Sequence, residues 1–120
     1  YYKKLIDLGN PGAMNNYGIM FFNGFPVPKN HQIAAKYFKM SADHGDVNAM
    51  VNFGNMTKIG DGIPKSTLKT LYYYRLASKK GGLKEKKIYN EYYSEKSHEF
   101  KIFILKFCLL LFLFFPYDLL

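Results

Sequence analysis

Residues 11–24 read PGAMNNYGIMFFNG and residues 47–60 read VNAMVNFGNMTKIG. At a shift of 36 residues Ala13-Met14 falls on Ala49-Met50, Asn16 on Asn52, Gly18 on Gly54, Met20 on Met56 and Gly24 on Gly60. The register holds outside this stretch. Pro28-Lys29 falls on Pro64-Lys65, Tyr37 on Tyr73 and Gly45 on Gly81, while Tyr1, Lys3, Asp7 and Gly9 fall on Tyr37, Lys39, Asp43 and Gly45. Together these make 14 identities in 46 aligned positions. Self-similarity at such a period marks an array of small units, each unable to bury its apolar face alone.

One unit reads as two short helices. The first follows an N-cap candidate, Asn10 or Asp46, whose side-chain oxygen can take a bond from a first-turn N–H, and Pro11 sits where its missing N–H costs nothing. Ala13, Tyr17, Gly18 and Phe21 lie about one turn apart, as do Ala49, Phe53 and Gly54, and Gly24 or Gly60 ends the helix. The second helix has Asn30 or Ser66 as its cap. It buries Ala34, Tyr37, Phe38 and Ala42, or Tyr73, Tyr74 and Ala77, and is expected to stop at Gly45 or Gly81 in the left-handed conformation. Ala13, Gly18, Ala49 and Gly54 are small enough to allow close helix approach. The expected fold is all-α, a solenoid of antiparallel helix pairs.

The residues Ala13, Tyr17-Gly18, Phe21, Gly24, Val27, Asn30, Ala34, Tyr37-Phe38, Ser41-Ala42 and Gly45 resemble the recurring pattern of the Sel-one-like repeat family, relatives of the tetratricopeptide repeats. The resemblance covers residues 1–82 as a half repeat (1–12) and two full repeats (13–48 and 49–82). It implies a right-handed α/α superhelix whose concave side binds other proteins, and it implies no catalytic residues. Departures are Leu5-Ile6 in place of a small pair, Pro26 in place of Gly, Thr57 in place of an aromatic residue and Thr70 in place of Ala.

Candidate binding residues lie on the first helices, which commonly line the groove of a solenoid. Asn16 and Asn52 are equivalent, Met20 and Met56 follow one turn later, and Asn55 is one turn on from Val51. Asn side chains can bond the backbone of an extended partner, and Met adapts to varied apolar side chains. The Gly-rich residues 60–66 resemble a phosphate loop ending in Lys65-Ser66, but Pro64, without an N–H, stands where that loop needs Gly. His31, His44 and His98 have no partner at ligand or catalytic spacing and are expected at the surface. With three His and one Cys in the chain, no metal site, cofactor or disulfide is expected. Nothing assembles a nucleophile, base and orienting group, so the chain reads as non-enzymatic.

The 120 residues carry 17 Lys+Arg against 9 Asp+Glu, a formal charge of +8. Residues 1–82 hold 11 basic and 4 acidic groups, so almost all of that charge belongs to the repeats. Its Lys residues are dispersed and Arg75 is the sole Arg, which argues against nucleic acid. The aromatic runs Tyr37-Phe38 and Tyr72-Tyr73-Tyr74 fall on the helix face that must be buried and are expected in the core.

After Gly81-Gly82 the repeat identities stop. Residues 83–99 mix Lys and Glu with Ile88, Tyr89, Tyr92 and Tyr93, as an amphipathic capping helix or linker would. Residues 100–120 are a hydrophobic tail in which Lys106 is the one charge between Ile102 and Phe115, with Cys108 inside the run. Three readings fit it: a membrane anchor, a helix buried in a larger solenoid, or AT-rich DNA translated beyond its exon or frame. As an anchor it would keep the repeats on the cytoplasmic side, because Lys79, Lys80, Lys84, Lys86 and Lys87 precede it. Tyr1 in first place suggests a piece of a longer protein.

The functional expectation is a protein-interaction scaffold whose partners are proteins or peptides. The alternatives are the regulatory array of a larger enzyme such as a protein kinase, and a membrane-anchored adaptor similar to the substrate receptors of endoplasmic-reticulum degradation ligases.

Overall fold

The structure, a computed structural model, describes residues 2–114. Their regular structure is helical: α1 (Tyr2–Asp7), α2 (Pro11–Asn23), α3 (His31–Asp43), α4 (Val47–Ile59), α5 (Thr67–Lys80) and α6 (Leu83–Phe114). The starts of α2, α4 and α6 follow one another at the 36-residue period, and so do those of α3 and α5. All four sequence-derived caps form. Asn10 accepts from the Ala13 N–H at 2.9 Å, Asn30 from Ile33 at 3.0 Å, Asp46 from Ala49 at 2.8 Å and Ser66 from Lys69 at 3.2 Å. Each bond satisfies one of the donors that a helix start leaves without an intrahelical acceptor.

The helix ends follow the expectation with one correction. Gly24 and Gly60 stop α2 and α4 with φ of 77° and 82°, each donating its N–H to a carbonyl four residues back. Gly45 also has positive φ, 101°. Gly81 does not: its φ is −91° and ψ −166°, an extended backbone. The reason lies just downstream, where α6 begins almost at once. The Glu85 carboxylate accepts from the Gly82 N–H at 2.8 Å, and a Cβ on Gly81 would stand 2.6 Å from Glu85 Cγ and 2.8 Å from the Ala77 carbonyl oxygen. Gly81 is therefore there for space.

The chain falls into two compact units that divide between Tyr89 and Asn90. In the first, α1 packs on α2, α2 on α3, α3 on α4 and α4 on α5. Its core runs through both repeats and includes Ala34, Phe38, Ala42, Ala49, Met50, Phe53, Met56, Tyr73 and Ala77. The packing repeats with the sequence. Tyr17 meets Tyr37 edge-to-face at 4.7 Å between ring centroids, and Phe53 meets Tyr73 in the same way at 4.8 Å. A Cβ on Gly18 would lie 2.8 Å from the Phe38 ring, and one on Gly54 would lie 2.5 Å from the Tyr74 ring. The two glycines thus make room for an aromatic ring of the second helix in their own repeat.

Thr57 and Thr70, two departures from the family pattern, compensate for each other. Both are fully buried, and their hydroxyls lie 2.8 Å apart. The Gly54 carbonyl lies 2.9 Å from the Thr57 hydroxyl and the Ser66 carbonyl 2.9 Å from that of Thr70, so one hydroxyl donates to the other, which in turn donates to its own helix carbonyl. The preceding repeat has Phe21 and Ala34 at these places, a large and a small apolar residue. The second repeat replaces that pair by two medium residues whose polar atoms are mutually satisfied, which avoids the cost of a bare buried hydroxyl.

Helix α6 runs for 32 residues without a break at the 99/100 boundary suggested by composition. One period past Gly60 stands Lys96, and one past Pro64 stands Phe100, so neither residue that ends α4 and its turn is present. In the second unit Tyr92 is buried, and Lys96 lies 5.5 Å from its ring centroid while bonding Glu99 at 3.1 Å. From Phe100 to Phe114 every residue is exposed, Cys108 included. No helix among the described residues is long and apolar enough to cross a membrane. The rest of the tail, residues 115–120, lies outside the described residues.

Candidate functional site

The first helices of the two repeats, α2 and α4, flank a cleft of about 280 Å³. Ile19, Phe22 and Asn23 come from α2, Asn52, Asn55, Met56 and Ile59 from α4, Phe38 from α3, and Asp61 from the turn after α4. The walls are apolar and the polar groups are three side-chain amides and one carboxylate.

Of the five candidate binding residues, Asn52, Asn55 and Met56 come together here. Asn16 is exposed and Met20 half-buried, and neither lines the cleft. They sit on α2, and the segment before it, α1, corresponds by the period to the end of a second helix. Among the described residues no first helix faces them. Asn52 donates from Nδ2 to Oδ1 of the buried Asn15 at 3.1 Å, a bond between the two repeats. Asn55 accepts through Oδ1 from the Tyr74 hydroxyl. Sequence reasoning missed Asn15 because its equivalent is Val51, and it missed Phe22, Asn23, Ile59 and Asp61 because none recurs at the period.

His31 is a second correction. Its side chain is only 25% exposed, and both ring nitrogens are engaged. Nδ1 lies 2.7 Å from Asp61 Oδ1 and Nε2 lies 3.1 Å from the Phe22 carbonyl, while the ring stacks on Phe22 at 4.4 Å. The residue joins the start of α3 to the turn of the next repeat and fixes the orientation of Asp61 beside the cleft.

A second joint lies at the far ends of the helices. The Tyr73 hydroxyl donates to Asp43 Oδ1 at 2.8 Å, and Lys39 donates to Oδ2 at 2.8 Å. Burial alone would raise the Asp43 carboxyl, but the hydrogen bonds from Lys39 and Tyr73 and the charges of Lys39 and His44 hold it below the ordinary carboxylate range. Burial pushes the Tyr73 hydroxyl up, and its bond to Asp43 adds to this. Tyr37, at the equivalent place, is raised by burial and by Tyr17 and Asp7, the counterpart of Asp43 one period earlier.

Tyr73 and Tyr74 are buried and Tyr37 is half-buried, so these rings are not platforms for nucleotide bases. Tyr72, grouped with the core by sequence, is instead 61% exposed, because three successive helix positions cannot share one face. Among the described residues no three His, Cys, Asp or Glu side chains stand close enough to hold a metal ion.

Comparison with known proteins gives a consistent picture. The family model of the Sel1 repeat matches residues 11–46 and 47–82, spans that open at the starts of α2 and α4. A Sel1 repeat protein from Oxalobacter formigenes is 29% identical with a TM-score of 0.64, over 68% of this chain and 34% of that one. A protective antigen of uropathogenic Escherichia coli with an SLR fold, c5321, is 26% identical with a TM-score of 0.64, over 68% of this chain and 17% of that one. Cysteine rich protein B of Helicobacter pylori, at 22% identity, shares the fold with a TM-score of 0.70, over 73% of this chain and 66% of that one. No curated protein matches the sequence.

Proposed function

Since this chain belongs to the Sel1 repeat family, whose repeats mediate contacts between proteins, we propose that it serves as a non-catalytic scaffold holding a partner polypeptide along α2 and α4. The cleft between these helices carries the reading. It offers apolar walls formed by Ile19, Phe22, Phe38, Met56 and Ile59, and side-chain amides that can bond a polypeptide backbone. Rigidity comes from the joints between the repeats, which keep the cleft formed without a ligand and so reduce the ordering cost of binding.

The test is site-specific photocrosslinking in the full chain. A crosslinker in place of Asn55, on the cleft, should form a discrete adduct with a partner, whereas one in place of Lys39, exposed on α3, should not. Equal adducts at both places, or adducts at Lys39 alone, would remove the cleft from the function.

The exposed apolar end of α6 favours a second reading, attachment to a lipid surface. Full chain floating with vesicles, and losing that property when Phe103 and Phe107 are changed to Ser, is the expected result. A chain that stays with the soluble fraction at every lipid concentration sinks it.

A further inference from the structure

The cleft also specifies the chemistry of its occupant. In a chain of formal charge +8 it has no cationic lining residue, and its one charged group is Asp61. The Asp61 side chain is 33% exposed, and its bond with His31 uses Oδ1. Oδ2 is left to accept from a ligand. Asn52 and Asn55 lie three residues apart on α4 and therefore on one face. The Asn52 NH2 is directed to Asn15, which leaves its carbonyl as an acceptor, and the Asn55 carbonyl takes the Tyr74 hydroxyl, which leaves its NH2 as a donor. One acceptor and one donor side by side match the N–H and C=O of a polypeptide backbone.

Resting on the scaffold reading above, we infer that the cleft takes an extended peptide that inserts one large apolar side chain between Phe22 and Met56 and sets a basic residue beside Asp61. An acidic residue in the latter place meets the outward Oδ2 of Asp61, and the nearest basic group, His31, is already committed to Asp61 Oδ1 and the Phe22 carbonyl. Among the described residues the pattern of the cleft does not recur: one period further on, Ile88 and Glu91 stand in place of Asn52 and Asn55, and no described first helix opposes the earlier Asn16 and Met20.

The experiment uses the full chain and three synthetic hexapeptides, followed by amide chemical-shift changes on titration. The probes are Gly-Thr-Phe-Lys-Thr-Gly with both ends blocked, the same peptide with Ala for Phe, and the same with Glu for Lys. The Phe-Lys peptide should shift resonances of α2 and α4. The Ala peptide should bind about tenfold or more weaker, in keeping with the loss of a buried aromatic side chain. The Glu peptide should bind several-fold weaker, and Asp61→Asn should erase that difference. Ile59→Lys is the stricter variant. Ile59 lines the cleft while 72% exposed, so the fold tolerates the change, and the added cation should reverse the preference in favour of the Glu peptide. Equal binding of the three peptides, shifts confined to other helices, or an Ile59→Lys chain that keeps the Lys preference would each overturn the inference. If partner adducts still form at Asn55 in that event, the scaffold reading stands and only this assignment of the ligand falls.

Discussion

Helices α4 and α6 begin one period apart, at Val47 and Leu83, yet α4 stops after 13 residues and α6 runs for 32. The difference lies in a few residues. Helix α4 carries Gly54, which admits the Tyr74 ring, and meets Gly60, which adopts φ of 82° and turns the chain back. At the corresponding places α6 has Asn90 and Lys96. Apolar content does not make a repeat here, since the end of α6 is richer in Phe and Leu than any helix of the array and is nonetheless exposed along its length. A repeat closes here when its first helix has a notch for an aromatic ring and a stop that returns the chain.

The largest expected effect tests the notch. In Gly54→Val a Cβ would begin 2.5 Å from the Tyr74 ring, which is buried and tied to Asn55 and so cannot swing aside. We expect a loss of about 3 kcal/mol in urea unfolding. Asn90→Val, at the equivalent but exposed place in α6, should stay within about 0.5 kcal/mol. Similar losses at both places would mean that the notch does not distinguish the helices.

Next in size is the exchange of core pairs between repeats. Thr57→Phe alone overfills its site and should cost about 2 kcal/mol, while adding Thr70→Ala, which recreates the Phe21/Ala34 pairing, should recover more than half of this. Additive losses in the double-mutant cycle would show that the two sites are independent.

The stop signal accounts for about 1 kcal/mol in each direction. Gly60→Ala forces a Cβ into the left-handed region and should lower stability by about that amount. Lys96→Gly should weaken α6 by a similar amount, seen as faster amide exchange around residue 96 with the repeats unchanged. Undiminished protection there would mean that the glycine acts only with its Pro-containing turn.

The smallest effect concerns Asp43. Its carboxyl is held low in the folded chain, so it contributes stability above the ordinary Asp value of about 3.9 and loses it as pH falls through the lower folded value. Asp43→Asn should therefore lower the melting temperature at pH 7 and do so less at pH 2. An equal drop at both pH values would assign the effect to packing rather than to charge.

The period made the helices, their caps and the core aromatics readable in the sequence, because each is specified by equivalent residues appearing twice. What it hid are the joints between non-equivalent positions. Asn52 bonds Asn15 rather than Asn16, His31 bonds Asp61, and Thr57 meets Thr70 across a helix pair. A self-comparison aligns like with like, whereas these contacts pair residues on different helices. The cleft was half legible for the same reason: Asn52 and Met56 recur at the period, but Phe22, Ile59 and Asp61 do not.

The joints between the repeats share a property that the Thr57–Thr70 contact inside one repeat lacks. His31 to Asp61 and Tyr73 to Asp43 each connect residues 30 apart in the chain, and Asn52 reaches back 37 to Asn15. Every such bond therefore closes a loop of about one repeat, whatever the number of repeats stacked beyond it. The entropy lost in forming a junction is then set by the repeat and not by the length of the protein. A chain carrying more of these repeats should form each junction about as fast as this one, with folding spreading from any unit that orders first.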